Sequence, residues 1–350
     1  MRNIFLEVKN PVDDERLRKL KAVVGSGPVL ILTHDNPDPD SMASGMALAY
    51  LLDQLWQIPS VLVYSGVVAR AENQAMLRLL TPVWKHQEQL VELDNYSAIA
   101  LVDTQPGAGN NRLPAEKLPD VVIDHHKPLR EQLYSVPYYD VRPEIGATVS
   151  MLYQYFAARD IVPDATLATA MFYGLHTDTR GLARNSSPAD EIAYFNLLEL
   201  LDRDTLIQVE QAGLPREYFQ AFTKGLQAAW IFGSAVVADL GVMHRPDFTA
   251  EIADVLIRLD IARAVLCMGS HQTTLHFSIR TKSLGFDAGA LAQNVVLLDG
   301  KAGGHGSVAG GQIPIDHQDA GSLAVTIRTR FLTTLGEKSI GTPLLNEQDL

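Results

Sequence analysis

Cysteine is nearly missing from this sequence: of 350 residues, only Cys267 carries a thiol. A single thiol excludes an intrachain disulfide framework and any cysteine-rich zinc site, so a bound metal would have to be held by histidine and carboxylate. Cys267 itself reads as a small, buried apolar side chain. Long hydrophobic runs are missing too. Stretches such as residues 28–32 and 98–102 fall far short of the roughly 18–20 apolar residues that cross a bilayer, so no membrane partner is expected. The opening segment, residues 1–10, contains Arg2, Glu7 and Lys9 and lacks the apolar core and small-residue cleavage site of a secretion signal, which makes a cytoplasmic address the expectation. Positive charge is the third shortage, with 29 Lys and Arg against 41 Asp and Glu for a net charge of -12. Such a chain repels a long phosphate backbone unless its charge is segregated or neutralised by metal, so long duplex nucleic acid is a poor partner. What the chain does have is apolar material, 47% of its residues, ample for one large or two ordinary globular domains.

Apolar, β-branched runs at residues 29–33, 60–64, 98–102 and 121–123 alternate with helix-like stretches at 41–54 and 70–80. Alternation of this kind, with continuously apolar strands, predicts a parallel sheet covered on both faces, and such sheets bind ligands beyond the carboxyl ends of their strands. From residue 150 to about 225 the pattern is mostly helical. A second strand-bearing region follows, with candidate strands at 235–240, 264–268, 273–279 and 322–327. The expected organisation is an α/β fold: a parallel-sheet domain over residues 1–195, a helical connector over 196–225, a smaller α/β domain over 226–340, and a loosely packed tail over 337–350.

The first strand runs into His34-Asp35-Asn36-Pro37-Asp38-Pro39-Asp40-Ser41. The prolines favour extended geometry in the residues before them, so Asp38 and Asp40 can project in a fixed relation. The bland alternative is an ordinary acidic helix start with Asp40 or Ser41 as N-cap. The third apolar strand ends in Asp103, and the fourth in Asp124-His125-His126. If these strands are neighbours, their ends converge on one crevice. Carboxylates crowded without counter-charge either take up protons or hold a cation, and mixed histidine and aspartate donors point to a divalent transition metal, manganese above calcium or magnesium. A further acid, Asp178, follows a helix-like run at 166–173 and is placed to supply a remaining ligand. In the C-terminal half, Gly303-Gly304-His305-Gly306 offers a backbone that can approach an anion closely, with His305 as a donor. Arg280, at a strand end, is the other anion-binding candidate. Residues 304–309 also fit a dinucleotide fingerprint, but no clean strand precedes them and they fall too late for a first strand-helix turn.

Taken together, these residues resemble the DHH phosphoesterase superfamily, in the subfamily with a DHH-associated C-terminal domain that ends in a Gly-Gly-His loop. Its four motifs are similar, in order, to the run from His34 through Asp38 and Asp40 to Ser44, to Asp103, to Asp124-His125-His126 and to Thr177-Asp178-Thr179. The resemblance spans residues 20 to 330 and is nearest to the oligoribonuclease and pAp phosphatase branch. It implies a two-metal site, usually manganese. His34 and Asp38 would hold one ion, Asp40, His125 and Asp178 the other, and Asp103 would bridge them. Asp124 would orient ligands, His126 would face the substrate phosphate, and Arg280, Gly303, Gly304, His305 and Gly306 would bind substrate. Family members are often homodimers. This sequence departs from the pattern at Ala43, where many members have glycine, and at Ala302, which breaks a triple glycine.

Two divalent ions about 3.5 to 4 Å apart acidify a bridging water and clamp both oxygens of an in-line displacement on phosphorus. They would also move the formal charge from -12 to -8. The activity implied is hydrolysis of very short oligoribonucleotides or linear dinucleotides to mononucleotides, and of pAp to AMP. The alternatives are a cyclic dinucleotide phosphodiesterase and a manganese pyrophosphatase or polyphosphatase. A RecJ-like exonuclease would need a basic, aromatic-studded groove that the sequence lacks. A nucleotide-binding regulator would be expected to have lost metal-competent residues, and none is lost.

Overall fold

Each of the apolar runs in the first half is too short and too uniformly hydrophobic for a surface helix, and each forms a strand, fully buried except at residues 60–64. The computed structural model describes residues 12–90, 92–282, 286–296, 300–315 and 319–345. The chain divides into two units, Met1–Gly213 and Leu214–Leu350.

Unit 1 runs α1 (Asp14–Val24), β1 (Val29–Leu32), α2 (Pro39–Trp56), β2 (Ser60–Tyr64), α3 (Ala71–Leu79), β3 (Lys85–His86), β4 (Ala98–Val102), β5 (Val121–Asp124), β6 (Tyr138–Val141), α4 (Thr148–Ala157), α5 (Ala165–Thr179), α6 (Pro188–Leu198) and α7 (Arg203–Glu210). Its sheet has the order β3-β2-β1-β4-β5-β6, and every pairing is parallel. The two-residue side-chain period sends Val29 and Ile31 into a large core shared with α1, α2, α4 and α5. Leu30 and Leu32 point the other way, into a smaller core with Ile99, Leu101, Leu133 and Val136. Both faces are covered, as expected, but loops and short 3-10 helices (Leu93–Asn95 and Glu131–Ser135) rather than α-helices cover the second.

The helical stretch expected as a connector is divided between the units. The chain splits after Gly213, and α7 packs on α3 and α5 of unit 1. Unit 2 begins with α8 (Arg216–Gln227), followed by β7 (Ala229–Phe232), β8 (Ala235–Val242), α9 (Phe248–Leu256), β9 (Ala264–His271), β10 (Thr274–Thr281), α10 (Ala288–Val296), β11 (Lys301–His305), β12 (Val308–Pro314), α11 (Ala320–Leu335) and β13 (Thr342–Pro343). The sheet order is β11-β12-β10-β9-β8-β7-β13. Two sequence expectations need correction here. Residues 322–327 are helical, because Asp319 caps α11 and the buried residues Leu323, Ala324, Ile327, Phe331 and Leu332 recur at helical spacing. Part of the tail is built in, with Thr342 and Pro343 pairing against β7.

One close approach positions the functional residues. A Cβ added at Gly174, in α5, would lie 3.0 Å from both the Asp40 Cα and the Pro39 carbonyl oxygen. Glycine there lets α5 lie directly against the first turn of α2. Gly174→Ala is expected to cost about 1–3 kcal/mol through overpacking, seen in urea unfolding as a lower midpoint with an unchanged slope.

Candidate metal centre

The centre is assembled where β1, β4 and β5 end. Strand register pairs Leu32 with Leu101 and Val102 with Ile123, so His34, Asp103 and Asp124 emerge at the same level of adjacent strands. After β1 the loop does not obey the proline rule throughout. Asp38, before Pro39, is extended at φ -95° and ψ 179°, as expected. Asn36, before Pro37, has a φ of 58°. Its amide donates to the Ser65 carbonyl and its Oδ1 accepts from the Val67 amide at 2.8 Å, which together hold that conformation.

Asp38, not Asp40 or Ser41, is the N-cap of α2, accepting from the Ser41 amide at 3.0 Å. Asp40 is therefore not spent on capping its own helix. It is 1% exposed and accepts from the amides of Thr148 at 2.7 Å and Val149 at 2.9 Å, at the N-terminus of α4, where orphan N–H groups favour a negative charge. Asp178 lies inside α5, in its last turn, rather than in a turn after the helix. The Arg184 guanidinium, which donates to the Asp178 carbonyl oxygen at 2.8 Å, ties the following loop back to that turn.

These elements bring together all six sequence-assigned metal ligands. The His34 Nε2 lies 3.7 Å from both the Asp38 and the Asp103 carboxylates. The His125 Nε2 lies 3.3 Å from Asp178, 3.5 Å from Asp103 and 4.0 Å from Asp40. Asp103, reached by both histidines, is 1% exposed, has a φ of 61° and accepts from the Thr148 hydroxyl at 2.8 Å. Backbone carbonyls only accept, so the contacts from the His34 Nδ1 to the Asp35 oxygen at 2.9 Å and from the His125 Nδ1 to the Ile145 oxygen at 3.1 Å fix Nδ1 as the donor in both rings. Nε2 thus faces the carboxylates, as in rings oriented for metal. His126 is held differently, by its Nδ1 on Asp124 at 2.8 Å.

The electrostatics favour cations at this site. Burial raises the Asp40 pKa well above the ordinary carboxylate range, and the charges of Asp103, Asp178 and Asp38 add to it. Burial, helped by Asp38 and Asp103 against the opposing pull of His125, pushes Asp178 up to about 6. Burial works against the His34 imidazolium, but Asp38 and then Asp103 outweigh it and push the ring up to about 9. For His126, burial is likewise outweighed, by the hydrogen bond to Asp124 and the charge of Asp103, which push it up to about 10. Asp124 is held below its usual range despite burial, chiefly by His126. Among the described residues no Lys or Arg is paired with Asp38, Asp40 or Asp103, so their counter-charge is histidine, protons or a metal.

The donor set fits two divalent ions. Ligand atoms of His34, Asp38 and Asp103 lie within 4.8 Å of one another, and so do those of Asp40, His125 and Asp178. Asp103, His125 and His126 form a third such group, but His126 already commits Nδ1 to Asp124. The sequence reading missed Thr148 and Val149, which lie in no acidic or histidine motif and reach Asp40 only because α4 begins beside it. It also missed Gln105, whose one legible signal was its place two residues after Asp103.

The substrate residues assigned to unit 2 are placed less uniformly. Gly303 and Gly304 belong to β11, and Gly306 to its turn into β12, so the glycine segment is an edge hairpin rather than a free loop. No helix follows it directly, which removes the dinucleotide-fingerprint reading. Added Cβ atoms at Gly303 and Gly306 would meet nothing, whereas Gly304, at a φ of 149°, has Ala309 at 2.4 Å. His305 pairs with Val308 through its backbone, and its side chain lies outside the described residues. Arg280 is not the open fork expected: it is 5% exposed, its Nε is 2.6 Å from Asp254, and its Nη1 donates to the Ile279 carbonyl. Strand alternation turns it toward α9, which carries Asp254. Cys267 is fully buried, and burial drives its thiol pKa up.

Fold and centre together define an α/β protein with a paired histidine-carboxylate metal site at the carboxyl end of a parallel sheet. The DHH family, N-terminal domain, matches residues 28–175. An uncharacterized protein of Methanocaldococcus jannaschii is 33% identical over 364 residues, 96% of this chain and 73% of that one. The chain belongs to the DHH family. A probable manganese-dependent inorganic pyrophosphatase of Streptococcus agalactiae is 24% identical over 171 residues, 47% of this chain and 52% of that protein. The crystal structure of an exopolyphosphatase-related protein from Bacteroides fragilis shares the fold, with a TM-score of 0.73 and 14% identity over 93% of this chain and 98% of that one. No helix among the described residues is long and apolar enough to cross a membrane.

Proposed function

We propose that this chain is a manganese-dependent phosphodiesterase that hydrolyses very short oligoribonucleotides or linear dinucleotides to mononucleotides, and pAp to AMP. The observation that carries the reading is Asp103, one buried carboxylate that belongs to the ligand group of His34 and Asp38 and also lies 3.5 Å from His125, a member of the group with Asp40 and Asp178. Bound there, two such ions supply the charge neutralisation and the acidified water that displacement on phosphorus requires. Asp38, Asp40, His34, His125 and Asp178 fix their positions. His126, oriented by Asp124, serves as the proton donor to a phosphoryl oxygen or leaving group. Gly303, Gly304 and Gly306, whose backbone is exposed, together with His305, are the proposed contacts of unit 2 to the nucleotide. Manganese is supported by the mixed nitrogen and oxygen donors and by the named metal of the Streptococcus agalactiae relative.

That relative also favours a second reading, hydrolysis of inorganic pyrophosphate. Pyrophosphate is small and highly charged and calls for cationic side chains around it, whereas Arg280 is paired with Asp254. The nucleotide reading therefore stands first. Product chromatography would be run with manganese on pApA, a five-nucleotide RNA, pAp, cyclic di-AMP and pyrophosphate, with a chelator control. Metal-dependent release of AMP from pApA is expected. Turnover of pyrophosphate alone would reverse the order, and turnover of cyclic di-AMP alone would move the assignment to cyclic dinucleotides.

A further inference from the structure

Gln105 stands two residues after Asp103 and is 3% exposed. A buried primary amide costs free energy unless its donors and acceptor are used, and here both ends are used. The amide nitrogen donates to the Asp124 Oδ2 at 2.7 Å and to the His126 carbonyl oxygen at 2.9 Å. The amide oxygen accepts from the Arg130 backbone at 2.9 Å. These three contacts also settle which way the amide is flipped, since a carboxylate and a carbonyl can only accept. The other carboxylate oxygen of Asp124, Oδ1, takes the His126 Nδ1 at 2.8 Å.

We infer that Gln105 is a positioning residue that acts through Asp124: it fixes the carboxylate so that Oδ1 is left for the His126 Nδ1. The ring is thereby reserved for substrate instead of metal. His126 lies near enough to Asp103 and His125 to complete a third ligand group, and Nδ1 is the nitrogen nearest Asp103, at 3.6 Å. Engaging Nδ1 on Asp124 removes it from that role, so any proton His126 exchanges with a substrate leaves from Nε2. The backbone bonds to His126 and Arg130 hold the segment carrying the ring against the same amide. The catalytic part of this inference rests on the phosphodiesterase reading above. The structural part does not.

Gln105→Met keeps the volume and removes all three hydrogen bonds. With pApA and manganese, kcat is expected to fall about 10- to 100-fold, the range seen when a hydrogen-bonding partner beside a metal site is removed, while KM stays within about threefold. In an Asp124→Asn background the same substitution is expected to cost less than about threefold, because the effect runs through Asp124. Metal-free protein labelled with 15N-histidine supplies a readout independent of activity. A downfield, exchange-protected Nδ1–H resonance, assigned by its loss in His126→Asn, is expected in the wild type and is expected to disappear in Gln105→Met. If Gln105→Met does not fold, Gln105→Asn, too short to reach Asp124 and Arg130 at once, takes its place. An unchanged resonance, a loss confined to KM, or an equal loss in the Asp124→Asn background would overturn the inference. Failure of the wild type to cleave any nucleotide would instead sink the functional reading and leave the resonance to decide the role of Gln105.

Discussion

Asp103→Asn is expected to lower kcat for pApA on the order of 10³-fold or more, and to weaken manganese binding, because it removes the carboxylate placed between the two ligand groups. The size of the effect follows from position. His34 and His125 both reach Asp103, so its carboxylate stands between the two ligand groups. Asparagine preserves the shape and can still accept from the Thr148 hydroxyl, which donates to Asp103 at 2.8 Å. The metal-free protein should therefore fold. Its metal-free stability should change little, because the lost repulsion toward Asp40 and Asp178 is offset by the lost attraction to His34 and His126. Steady-state kinetics, manganese titration and thermal unfolding of metal-free protein test the three parts. Wild-type kcat in this variant would show that the centre is not where the chemistry occurs.

Manganese is expected to raise the unfolding temperature by an amount that grows with pH between about 5 and 9. Asp178 has a folded pKa of about 6, above its unfolded value of about 3.9. A raised carboxylate contributes stability that is fully present below the unfolded pKa and is lost as pH rises through about 6. His34, raised to about 9, has the same sign: its contribution is complete below about 6.5 and is lost as pH rises through about 9. The metal-free protein should therefore lose stability across this interval. A metal ion needs Asp178 ionised and His34 neutral, so its affinity rises over the same range and its stabilising effect grows as RT ln(1 + [L]/Kd). Differential scanning calorimetry at fixed manganese, with a chelator arm, measures both curves. A manganese shift that is flat or falls with pH would mean that these groups do not bind the metal. Proton release on manganese addition, read by titration in two buffers of different ionisation enthalpy, checks the same linkage independently.

Much of the centre was legible because its ligands sit at the ends of apolar runs. A strand of four or five buried residues announces itself by composition, and an acid or histidine immediately after it in a parallel sheet has few places to be except the ligand-binding edge. His34, Asp38, Asp40, Asp103 and His125 were singled out as candidates in this way and Asp178 from the helix-like run before it, with the family resemblance dividing them between two ions. Residues 322–327 were misread because six residues carry too few periods to separate a strand from a helix. Only the cap at Asp319 and the recurrence as far as Leu332 distinguish them.

The sequence by itself determined the strands at residues 29–32, 60–64, 98–102 and 121–124, the donor types of the candidate centre and the exclusion of a cysteine-rich metal site, since these depend on side-chain composition and on periods within one short segment. Tertiary structure alone decided that the N-terminus of α4 supports Asp40, that Arg280 turns to Asp254, and that Gln105 meets Asp124 from 19 residues away. Each of these contacts depends on which segments become neighbours and on which face a residue takes. Both are set by packing among elements distant in the chain, which local periodicity does not encode.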